Sequence, residues 1–156
     1  MISRIRHFTF AVAAAFLLTA FSSARAADGM ITVKSAHDVA TTETRLVKAL
    51  NRKGMTVFAQ VDHDGGAASA GLELRPTRLV LFGNPKAGTP LMQCQQSVAM
   101  DLPQKALIWE DADGQAWLSY NSVAYLAKRH GMSGCDAALD KVAGALKAFA
   151  KAATAP

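Results

Sequence analysis

The sequence predicts an α+β fold: a two-layer α/β sandwich with a mostly antiparallel sheet and helices on one face. Three observations predict it. Segments alternating apolar and polar with a period of two are mixed with segments whose apolar residues recur at helical spacing. Two of the strand-like segments, residues 105–110 and 116–120, are joined by a short connection containing Asp113-Gly114, a hairpin signal. No strand runs into a G-x-G-x-x-G turn, which disfavours a doubly wound nucleotide fold.

Residues 30–34 alternate and suit a half-buried strand. Asp38 can cap a helix in which Val39, Leu46, Val47 and Leu50 recur on one face and which Gly54 stops. Residues 55–61 are β-branched and alternating, a second strand. Residues 62–76, with Gly65-Gly66 and small residues to Gly71, read as a loop. Residues 78–83 form a third strand, apolar enough to be central. The stretch 84–90 is a turn in which Thr89 caps a helix and Pro90 takes its first position. That helix covers 91–96 and ends in irregular turns to Met100. After Pro103 come the two hairpin strands, a short helix over 122–130 stopped by Gly131, and a last helix over 133–151 with Leu139, Val142, Leu146 and Phe149 on one face.

The N-terminus marks the chain for export. Arg4, Arg6 and His7 precede an apolar run from Phe8 to Phe21, and Ala24 and Ala26 stand at the small-residue positions of a signal-peptidase site. The run is shorter than the roughly 20 residues a bilayer span needs, and no cysteine follows it to take a lipid. Residues 1–26 are therefore read as a signal peptide cleaved after Ala26, delivering residues 27–156 to the periplasm as one domain without stable membrane insertion. Arg4-x-Arg6 is not a twin-arginine pair, so export is of the unfolded chain.

Cleavage removes three arginines and no acid, so the formal charge falls from +5 to +2. A nearly balanced chain with no basic stripe and no interleaved stacking aromatics is not a nucleic-acid binder. Cys94 and Cys135 are the only cysteines. In an oxidising compartment they read as a disulfide. Their spacing is not C-x-x-C, which leaves thioredoxin-like catalysis unsupported. A soft copper site from Cys94, Met92, Met100 and His63 is the weaker alternative, and no metal or cofactor is assigned.

Residues 84–90, Asn-Pro-Lys-Ala-Gly-Thr-Pro, are the best candidate site. Free backbone N–H groups at a helix start near Gly88 and Thr89, with the Lys86 cation and the Asn84 amide, suit a carboxylate, phosphate or sulfate. The G-x-x-x-x-G-K spacing of a phosphate loop is missing. His63, at a strand end between Asp62 and Asp64, can act as a base or a ligand-orienting donor, and Asp101 can pair with Lys86 or His63 if the fold brings them together. A nucleophile elbow is absent. His130, before Gly131, reads as a cation at a helix C-terminus. Trp109, Trp117, Tyr120 and Tyr125 cluster around the hairpin, with Trp117 and Ser119 on one face and Leu118 and Tyr120 on the other.

Several blocks resemble a known family. They are Val61-Asp62-His63, residues 66–72, Leu74-Arg75-Pro76-Thr77, residues 81–93, Asp101-Leu102-Pro103, Trp109-Glu110-Asp111 and residues 117–121. Together they are similar to the family catalogued as domain of unknown function 302. The resemblance implies a β-α-β4-α-like two-layer fold and implies no reaction. Cys94 and Cys135 lie outside its pattern. The reading that follows is an exported binding or interaction module, leaning to a non-enzyme, with a small anion or a protein as partner. The alternatives are an enzyme built on His63, Lys86 and Asp101, or an assembly partner that forms a homodimer through a sheet edge or the aromatic hairpin.

Overall fold

The computed structural model describes residues 29–156; the proposed signal peptide lies outside the described residues. Five strands form one sheet: β1 (Met30–Lys34), β2 (Thr56–Asp62), β3 (Thr77–Gly83), β4 (Gln104–Glu110) and β5 (Ala116–Asn121). Their order is β1-β5-β4-β3-β2, and every neighbouring pair is antiparallel. Helix α1 (Val39–Arg52) follows β1, and α5 (Asp136–Thr154) closes the chain. These two pack side by side on one face of the sheet. The fold is the two-layer α+β sandwich.

The core forms where that helix layer meets the sheet. Val80 and Phe82 of β3, Ala106 and Ile108 of β4 and Leu118 of β5 point inward, against Leu46 and Leu50 of α1 and Leu146 and Phe149 of α5. Phe82 and Phe149 meet edge to face at 6.1 Å. Each of these valine, leucine, isoleucine and phenylalanine side chains contributes about 1.5–3 kcal/mol on burial. The opposite face of the sheet carries Leu79, Leu81, Leu107, Trp109 and Trp117, all half-buried. There Trp109 and Trp117 stack at 6.4 Å, and the Trp109 indole N–H donates to Ser119 Oγ at 3.0 Å.

Helix α1 begins as its sequence requires: Asp38 Oδ1 accepts from the Thr41 N–H at 2.7 Å. Two other starts differ from the sequence reading. Residues 63–69 are not loop but a short helix, α2 (His63–Ser69). Asp62 caps it by accepting from the Gly65 N–H. A side chain at Gly65 would collide with that carboxylate, 2.5 Å from where its Cβ would stand. The helix is tied to the sheet because Asp64 accepts from the Thr77 N–H at 2.9 Å and Arg78 bridges Asp62 and Asp64.

Helix α3 (Pro85–Cys94) also starts earlier than Thr89. Asn84 is its cap, with Oδ1 accepting from the Lys86 N–H at 2.9 Å, while its Nδ2 donates to the Gly54 carbonyl at 2.7 Å. Gly88, Thr89 and Pro90 are interior positions of the helix. A 3-10 turn (Gln96–Met100) follows α3. Helix α4 (Val123–His130) ends at Gly131, whose φ of 62° suits glycine. Cys94, the last residue of α3, is disulfide-bonded to Cys135 at the start of α5. Cys94 therefore offers no thiolate for a copper site.

Candidate functional site

The sequence-predicted site residues divide into separate places. The anion reading of residues 84–90 relied on free amides at Gly88 and Thr89. With the helix beginning at Pro85, those donors are engaged: Lys86 N–H goes to Asn84 Oδ1, and the Ala87 and Gly88 N–H groups go to the Asn84 carbonyl at 2.9 Å. Pro85 has no N–H. Any anion near this turn is left to side chains.

His63 does not join Lys86. It follows the end of β2 that pairs with Arg78, whereas Asn84 follows the Gly83 end of β3, which pairs with Thr56. The two positions are separated by the length of a seven-residue strand, about 20 Å at the rise of an extended chain. His63, Lys86 and Asp101 therefore do not converge, and the enzyme built on that trio falls away.

Asp101 finds other partners. His130 Nε2 lies 2.6 Å from Asp101 Oδ2, and Ser97 Oγ lies 3.1 Å from His130 Nδ1. Arg129 Nε reaches the same carboxylate oxygen at 3.3 Å. The side chains of His130 and Asp101 are only 8% and 14% exposed. His130 thus pins the C-terminus of α4 to the turn after α3. A hydroxyl, an imidazole and a carboxylate stand in line, but none of the three lines the cavity described next.

That cavity, of about 630 Å³, opens between α3, the ends of β2 to β4, and α5. The size lies within the range of small-molecule sites. Its walls are mostly apolar: Met55, Phe58, Phe82, Leu91, Leu102, Ala145 and Phe149. The first turns of α3, from Asn84 to Thr89, form one side, so the segment singled out from sequence borders the cavity as a wall. Phe58 sits where the β2–β3 register shifts between Val57 and Ala59, and it is largely exposed. Three exposed cations line the opening, Lys53, Lys86 and Lys141, and no carboxylate does.

One polar side chain lies deep in the wall. Gln104, on the inward face of β4 opposite Phe82, is 7% exposed, and its Nε2 has no hydrogen-bond partner among the described residues. The other buried polar side chains are partnered. Ser35 and Thr42 bond each other, Ser119 meets Thr32 and Trp109, and Thr154 donates to the Ala150 carbonyl. Sequence reasoning missed Gln104 because it began the strand one residue later. The available signal was its place in the alternation Gln104, Ala106, Ile108, where an inward position carries an amide.

Comparison with known proteins fits this architecture. The sequence profile of the family described as Domain of unknown function DUF302 matches residues 31–149. A DUF302 protein from Bacillus stearothermophilus superimposes with a TM-score of 0.73 at 18% identity, covering 81% of this chain and 99% of that one. At that identity the likeness concerns the fold. Two proteins named fluoride-specific ion channel FluC 1, from Brucella suis biovar 1 and Brucella abortus biovar 1, are 49% identical over 104 residues. The match takes in 67% of this chain but only 41% and 38% of theirs, so the chain spans about two-fifths of the curated relatives. No helix among the described residues is long and apolar enough to cross a membrane.

Proposed function

The chain belongs to the DUF302 family, and we propose that it acts there as an exported, non-catalytic binding module for a small amphipathic anion. The observation that carries this reading is the cavity beside α3, apolar within and lined by three lysines with no acid. Apolar walls favour an apolar ligand body through the area they remove from water. Cations at the opening favour a negative head group, most strongly at low ionic strength. A bare halide would leave the apolar walls unfilled, so the ligand class differs from the ion in the relatives' name. Export to the periplasm rests on the signal-like order of residues 1–26 and accords with a disulfide, which persists in oxidising compartments.

Decanoate, a carboxylate with a flexible apolar tail, tests the site by calorimetric titration of the mature chain, residues 27–156. Saturable one-site binding is expected. Exchanging Lys53, Lys86 and Lys141 together for Gln should weaken it about tenfold, since an exposed charge contact contributes about 0.2–1 kcal/mol. No binding, or binding indifferent to the three lysines at low salt, would overturn the reading.

A further inference from the structure

From the wall of this cavity we infer that Gln104 is a specificity-determining residue. It selects amphipathic carboxylates that carry a second hydrogen-bond acceptor, such as a ketone oxygen, within their apolar body. The inference rests on the binding-module reading above and adds what a plain hydrocarbon tail does not provide.

Three observations support it. Gln104 is more than nine-tenths buried, lines the cavity, and keeps an Nε2 donor without a partner among the described residues. A buried amide donor left unmade costs free energy that an apolar residue of similar shape would not. The four other buried polar side chains among the described residues are all satisfied, so an unpaired donor here is an exception within this fold. The second observation is position. Gln104 pairs across the sheet with Phe82, which touches Phe149 of α5, so the amide stands among the apolar walls. The cations stand elsewhere: Lys53, Lys86 and Lys141 are all exposed. The third is chemistry. The lysines suit a full negative charge in contact with water. A neutral amide N–H in an apolar wall suits a neutral acceptor, because a buried carboxylate would need a cation beside it. A ligand satisfying both has its charge at one end and a carbonyl or ether oxygen along its body.

Decanoate and its set of positional oxo-decanoates separate this inference from the reading beneath it. On the native mature chain, at least one oxo isomer should bind about tenfold more tightly than decanoate, the order of advantage one neutral hydrogen bond supplies. In Gln104→Met, of similar length without the amide, the ratio of oxo-isomer to decanoate affinity should fall to about one. The thermal midpoint of Gln104→Met should hold or rise, because an unpaired buried donor is gone. Decanoate binding with no preferred oxo isomer would overturn the role of Gln104 and leave the binding module standing. So would a preference that survives in Gln104→Met, or a thermal midpoint that falls steeply in that variant. Failure of every one of these acids to bind would overturn both.

Discussion

At the scale of single residues, the side chains with the most interactions are not those a motif search finds. Asp111 accepts three N–H groups: Asp113 and Gln115 from the backbone, both at 2.9 Å, and the Trp117 indole at 2.7 Å. These bonds, the indole first, hold its carboxyl below the ordinary aspartate value of 3.8. A carboxyl depressed in the folded state stabilises above the unfolded value, and that contribution is lost as pH falls through the folded one. In urea unfolding at stepped pH, the stability advantage of the native chain over Asp111→Asn should therefore be constant at neutral pH and shrink below about 4. A constant difference down to pH 2 would show that the carboxylate charge is immaterial. Gln104 shows the converse limit of residue reading. Its type and inward phase are visible in sequence, but its lack of a partner appears only once every neighbour has a place.

At the scale of elements, alternation, an apolar run and a hairpin signal mark the five strands, and periodicity with stop signals marks α1, α4 and α5, because tertiary packing on this sheet rewards the same faces the patterns mark. The two misreadings share a cause. In α2, Gly65-Gly66 argues against a helix by propensity, each glycine costing about 1 kcal/mol relative to alanine. The Asp62 cap and the Asp64 bond to the Thr77 N–H offset this. In α3 the sequence offers two cap-proline starts, Asn84-Pro85 and Thr89-Pro90, which local rules rank alike. The nearer one wins through a contact thirty residues back, the Asn84 amide on the Gly54 carbonyl. This ranking is measurable. Asn84→Ala should cost about 2 kcal/mol in denaturant unfolding, from a lost cap and a lost tertiary hydrogen bond. Thr89→Ala, on an exposed interior turn, should change stability by less than about 0.5 kcal/mol. Equal costs at the two positions would return the helix start to Thr89.

At the scale of the whole molecule, the fold was legible and the site only partly so. A two-layer sandwich follows from patterns read segment by segment. The cavity follows from how α3, the loop before β4 and α5 close together, and no local pattern contains that. Residues 84–90 border the cavity, although the free helix-start amides for which the sequence singles them out are engaged. Asp101, which the sequence allows to pair with Lys86 or His63 if the fold brings them together, instead holds His130. The Cys94–Cys135 bridge spans 41 residues, a ring containing β4, β5 and α4. Closing a ring of that length removes about 4 kcal/mol of unfolded-state entropy in the loop model. Replacing both cysteines by Ser should accordingly lower the thermal midpoint by more than about 10 °C. A drop under about 3 °C would mean that the packing of α3 against α5 holds without the bond.

The sheet face away from α1 and α5 has an optical consequence. Trp109 and Trp117 are the chain's only tryptophans, and they stack there, on the side of the sheet away from Phe82 and the cavity. The chain's intrinsic tryptophan emission therefore views one side of the molecule. Filling the cavity should leave that emission almost unchanged. Anything that settles on the tryptophan side should shift it, so this chain carries its own lamp for the face opposite the cavity.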